Sequence, residues 1–101
     1  MEKKEYCLSF IEKIQNNDKE SLYKFFTRNS VIMFLDEFKE MIVPDFVSYI
    51  EENYFAKEIE IKRVLESKVC TKIETRIENE NISFLIEVKE RRIRRLEIFK
   101  E

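Results

Sequence analysis

At Glu58 the sequence changes period. Before it, apolar side chains recur every three or four positions. After it they recur every second position, and Val69, Thr71, Ile73, Thr75 and Ile77 put five consecutive alternate residues on one face while Lys72, Glu74 and Arg76 take the other. Ile82, Phe84, Ile86 and Val88 repeat the scheme after a polar turn at 78–81. Such a chain places helices first and a meander of antiparallel strands second, with the apolar strand face needing the helices as its cover. The fold class expected is α+β.

The first half supplies those helices. Tyr6, Cys7, Phe10, Ile11 and Ile14 form the buried stripe of one amphipathic helix. It stops at Asn16-Asn17-Asp18, where Asn17 can take the left-handed conformation and Asn17 or Asp18 can cap the next helix. Leu22, Phe25 and Phe26 then face inward from that short second helix. The apolar run Val31 to Leu35 and the stretch from Phe38 to Val43 read as two short strands joined at Asp36-Glu37. Pro44 suits the first turn of a third helix, since its missing amide proton would be unpaired there anyway. Phe46, Val47, Ile50, Tyr54 and Phe55 form that helix's stripe, and it should end near Phe55.

At 101 residues one domain, 1–101, is expected, with 44% hydrophobic residues to build a core and 40% charged residues to clothe it. The chain contains neither glycine nor histidine. Glycine-rich phosphate loops are therefore excluded, as are histidine metal sites and serine-histidine or cysteine-histidine catalysis. Cys7 and Cys70 have no metal or redox spacing and read as two reduced thiols. No cofactor and no metal are expected. The Asn81-Ile82-Ser83 sequon would matter only in a secreted chain. The opening MEKKEYCLSF lacks a leader's apolar stretch, and no window reaches the length that crosses a bilayer, so a soluble, cytoplasmic protein without a membrane partner is expected.

The ending KERRIRRLEIFKE holds four arginines and two lysines, yet formal net charge is −2. Its apolar residues Ile93, Leu96 and Ile98 keep no single alternation, which a bulge between Ile93 and Leu96 would explain. With that bulge Arg95 and Glu97 turn outward. A charged strand without interleaved aromatic residues is read as protection against aggregation rather than as a nucleic-acid grip.

The order helix, short helix, two strands, third helix and meander resembles the cone-shaped nuclear transport factor 2-like superfamily, including its SnoaL-like and ketosteroid-isomerase-like members. FIEKIQNNDKESLYKFFTRNSVIMF is similar to the family's helix, turn, helix and first strand, and RRIRRLEIF to its closing strand. The resemblance implies three helices packed on a strongly curved antiparallel sheet, as a cone-shaped α+β barrel that often holds an apolar pocket. It also implies pairing of two chains through the sheet. The isomerases' catalytic tyrosine and two aspartates would fall at or near Phe10, Phe34 and Leu85 or Ile86, none of which can move a proton. No catalytic residue is assigned.

Three functional readings are open. The first is a noncatalytic pocket domain for a small apolar or amphipathic ligand, lined by Phe10, Phe26, Phe34, Tyr49, Thr71 and Phe84. The second is a homodimeric interaction module with a filled cone, its interface centred on Leu85, Leu96 and Ile98 and ringed by Lys72, Glu74 and Arg76. The third is a SnoaL-like enzyme of isomerase or hydrolase type. Asp36 and Asp45 near the cone mouth are its possible bases, against the plainer roles of turn former and helix-dipole partner. Thr75 could present a hydroxyl inside and Tyr54 a phenol at the rim, or each could simply belong to its element.

Overall fold

The computed structural model describes residues 2–101. Helix α1 spans Lys3–Gln15 and buries Cys7, Phe10, Ile11 and Ile14. Asn17 ends it at φ 57°, and the Asp18 carboxylate caps α2, Lys19–Tyr23, by accepting from Ser21 N at 3.1 Å and Ser21 Oγ at 2.7 Å. Strand β1 covers Phe26–Phe34 and β2 Lys39–Met41; helix α3 covers Val43–Asn53 with Pro44 in its first turn. Strands β3, Ile59–Glu66, β4, Thr71–Ile77, β5, Glu80–Lys89, and β6, Arg92–Lys100, complete the chain.

The strands form one sheet in the order β2-β1-β6-β5-β4-β3. The expected wholly antiparallel sheet needs one correction: β1 runs parallel to β6, with Ile32 opposite Leu96 and Phe34 opposite Ile98. A parallel pair needs a long crossover, and α3 with the meander provides it. The sheet is mixed and does not close. Where β1 and β6 diverge, Ser30 Oγ accepts from Thr27 N at 2.9 Å and donates to the Ile93 carbonyl at 2.6 Å, so a side chain replaces the missing ladder bonds. The bulge in β6 is present: the β5 register passes from Val88 opposite Ile93 to Glu87 opposite Arg95, leaving Arg94 unpaired.

Two further placements differ from the sequence reading. Phe26 is buried as expected, but it opens β1 instead of closing α2. Val69 is 65% exposed, outside β4. The Ser67 hydroxyl accepts from the amides of Val69 and Cys70 at 3.2 and 3.1 Å, bending the backbone into a turn before the alternation begins.

Without glycine, left-handed backbone falls to other residues: Asn17, Phe38, Ala56, Glu78, Asn79, Glu90 and Arg91 all have positive φ. Phe38 carries the greatest cost, with a bulky side chain at φ 49° and 89% of its surface in water. Phe38→Gly is expected to raise stability by about 0.5–1 kcal/mol, since relief of the left-handed strain exceeds glycine's added chain freedom. Urea unfolding would show a higher midpoint; a lower one would show that Phe38 makes a stabilising contact.

Candidate functional site

The interior of the curved sheet is where a site was expected, and side chains fill it. Phe10, Phe46, Phe84 and Thr71 are fully buried, and Phe26 and Phe34 are 7% and 8% exposed. Aromatic rings form a continuous run through the interior. Phe10 meets Phe26 at 5.7 Å between centroids, Phe26 meets Phe46 at 5.6 Å, Phe46 meets Phe34 at 6.3 Å, and Phe34 meets Tyr49 at 4.7 Å. Of the six residues expected to line a pocket, Phe10, Phe26, Thr71 and Phe84 are thus core. The ring at the middle of the run, Phe46, was legible only as part of a helical stripe.

Among the described residues the fully buried polar set is Thr71, Thr75 and Ser83, with no carboxylate or amine. Thr75 Oγ1 donates to the Ile82 carbonyl at 2.8 Å, a purely internal bond. The Thr71 hydroxyl has no hydrogen-bond partner, but it lies near Cys7, whose thiol burial pushes up while Thr71 acts in the opposite direction. A thiol held protonated this way is a poor nucleophile.

Phe34 and Tyr49 meet a different environment, a pocket of about 100 Å3 at the cone mouth shared with Asp36, Tyr54, Ile82 and Ile98. Asp36 Oδ2 accepts the Lys100 amide at 2.7 Å, so it ties the end of β6 to the β1–β2 turn. That bond commits it to structure. Burial raises the Tyr54 phenol well above its ordinary range, and neighbouring Tyr49 adds to the effect, so Tyr54 offers no ready acid here. Asp45 is exposed in the first turn of α3, where it complements the helix dipole.

The outer face of the sheet is the other expected site. Leu85 is half-buried there, but Leu96 and Ile98 are 0% and 2% exposed in the core, which corrects their assignment to an interface. Alternation explains it. Once the bulge turns Arg95 and Glu97 outward, where they pair at 2.9 Å, the residues between and after them must point in. The outer apolar positions are instead Val31, Met33, Leu85 and Phe99, and they are joined by Leu65 on β3. Of the expected rim charges, Lys72 and Glu74 are already engaged within the chain. Glu74 holds Arg63 at 3.0 Å and Lys72 at 3.1 Å, Lys72 also reaches Glu101 at 2.9 Å, and Arg76 is exposed.

That network and the Asp18 cap give an acid dependence. The Ser21 hydrogen bonds hold Asp18 below its ordinary 3.8, and the Arg63 and Lys72 hydrogen bonds hold Glu74 below 4.5. A carboxyl depressed in the folded state adds stability that is present above its unfolded value and lost as pH falls through the folded one. The urea midpoint should therefore decline as the pH drops below those ordinary values. Asp18→Asn with Glu74→Gln should flatten the decline; an unchanged slope would remove these two groups as its source.

The backbone compares closely with solved structures. A nuclear transport factor 2-like protein of unknown function from Burkholderia xenovorans superposes with TM-score 0.81 at 7% identity, over 96% of this chain and 80% of that one. This is the nuclear transport factor 2-like fold. A candidate SnoaL-like polyketide cyclase from Shewanella putrefaciens gives 0.81 at 8% identity, over 99% and 80% of the two chains. A candidate ketosteroid isomerase from Kribbella flavida gives 0.79 at 10%, over 97% and 76%. No protein-family model matches the sequence and no curated protein matches it. No helix among the described residues is long and apolar enough to cross a membrane.

Proposed function

We propose that this chain is a noncatalytic interaction module that pairs with a second copy of itself through the outer face of its sheet. The supporting observation is the filled cone. An amphipathic ligand would need the volume that Phe10, Phe46 and Phe84 occupy, and the mouth pocket of about 100 Å3 falls below the ~300–1,000 Å3 of ordinary ligand sites. Catalysis by Asp36 would need the carboxylate that the Lys100 amide holds.

The outer face has the make-up of a small self-complementary interface. Val31 and Met33 on β1 and Leu85 on β5 flank the Arg95–Glu97 pair on β6, with Phe99 further along that strand and the Lys72–Glu74 pair on β4 beyond Leu85, so apolar side chains alternate with charges of both signs that are already paired. Ion pairs already made within one chain contribute little across an interface, so affinity would rest on the apolar side chains beside them. Sedimentation should show a dimer at micromolar concentration. Met33→Glu with Leu85→Glu should leave a folded monomer, each fully buried side chain being worth about 1.5–3 kcal/mol and so roughly a tenfold or larger change in Kd. A wild type that stays monomeric at high micromolar concentration would end this reading.

A further inference from the structure

Away from the cone mouth, where the start of α1 meets the β5–β6 turn, Lys3, Tyr6, Val88, Arg91 and Arg92 surround a hollow of about 480 Å3. That lies inside the ~300–1,000 Å3 range of small-molecule sites. Its walls are held in place. The Tyr6 hydroxyl and Arg92 Nη1 both donate to the Arg91 carbonyl, each at 2.9 Å, and the Tyr6 ring packs on Phe25 at 4.9 Å between centroids. Lys3 Nζ donates to the Ser67 carbonyl at 2.7 Å.

All of these acceptors are neutral, so the Lys3 and Arg92 cations are oriented without being neutralised. Of the cations elsewhere among the described residues, Lys19, Lys57, Arg63, Lys72, Arg95 and Lys100 do pair with carboxylates, while others on the surface stand alone; what sets this group apart is that three cations line one hollow without a carboxylate in its walls. Among the described residues no carboxylate lies within 4.0 Å of the Lys3, Arg91 or Arg92 cation. Glu90, the acid of the turn, lines a neighbouring hollow with Lys89 and Arg94 that shares Arg92 with this one, but Glu90 makes no ion pair with Arg92. Burial raises the Tyr6 phenol above its ordinary value, with Arg92 opposing, so at neutral pH it adds no negative charge. Lysine offers three donors and arginine five, which leaves several free. Tyr6 and Val88 supply the apolar wall.

We propose that this hollow binds a small organic phosphate monoester, its dianionic head between Lys3 and Arg92 with Arg91 beside it, and its organic portion against Tyr6 and Val88. Three positive charges suit a dianion better than a single carboxylate. A nucleic-acid strand fits less well, because the arginines of RRIRR do not share one surface: Arg91 lines this hollow, Arg92 lines it and the neighbouring one, Arg94 lines only the neighbouring one, and Arg95 pairs with Glu97 on the outer face.

The test is an amide-resolved NMR titration of the full chain with phenyl phosphate, beside inorganic phosphate and phenol. The expected result is saturable one-site binding in the millimolar range or tighter, with shifts confined to residues 3–7, 67 and 88–93. Inorganic phosphate should bind more weakly and phenol not at all. Lys3→Gln and Arg92→Gln should each weaken binding about tenfold, as loss of a charge-assisted hydrogen bond implies, while Arg94→Gln changes it less than about twofold. Each variant's own spectrum reports its fold. Absence of saturation, equal weakening by Arg94→Gln, shifts centred elsewhere, or inorganic phosphate binding as tightly as phenyl phosphate would each overturn the proposal.

Discussion

Phe46→Ala is expected to cost about 3–5 kcal/mol, a large part of the roughly 5–15 kcal/mol that holds a domain of this size together. Phe46 is fully buried at the middle of the aromatic run, with Phe26 on one side and Phe34 on the other. Truncation removes its own transfer energy and leaves a void that rings fixed by α1, β1 and α3 cannot close. Urea unfolding should show a much lower midpoint with little change in slope. The same ring deleted at Phe38, on the surface, should cost almost nothing. A loss below about 1 kcal/mol at Phe46 would mean that the interior relaxes, and the filled cone would no longer count against a ligand.

Leu96→Glu should be more damaging still and should abolish folding near neutral pH. Leu96 is fully buried, opposite Ile32 on one neighbouring strand and Ile86 on the other. A carboxylate there has no cation to meet, and an unpaired buried charge costs several kcal/mol even after the structure adjusts. Ile98→Glu, between Phe34 and Phe84, should behave alike. Leu85→Glu, on the opposite face of the sheet, should stay folded. Circular dichroism of the three variants separates the faces directly; a folded Leu96→Glu would contradict the inward placement of β6.

These two results bear on what the sequence could disclose. Alternation in 71–77 and 82–88 identified the inward face of β4 and β5 because one buried face per strand is a strictly local pattern. β6 was harder. Its bulge was legible, and so was the outward turn of Arg95 and Glu97, but Leu96 and Ile98 cannot share that face, and only the register beside Phe84 and Ile86 makes this plain. The parallel pairing of β1 with β6 was hidden because nothing local in either strand names its partner. Val69 continued the alternation into a turn that the Ser67 hydroxyl creates. As for the site, periodicity tells which side chains point inward but not whether their volumes leave a space. The hollow beside Arg92 was out of reach for a related reason: Tyr6 and Arg91 meet across 85 residues.

The place of β6 between β1 and β5 also governs how the molecule can assemble. The hairpins of β3, β4 and β5 can form from neighbours in the chain, but β1 must wait for a strand more than sixty residues away, and the Asp36 to Lys100 bond closes a separation of 64. Loop-closure entropy is therefore spent before the helices gain a sheet to cover. Folding should fall among the slower small domains, in milliseconds to seconds, and its rate should be governed by contacts between β1 and β6. Until β6 docks, β1 and β5 each offer a bare edge, the strand-pairing surface through which incompletely folded copies would meet.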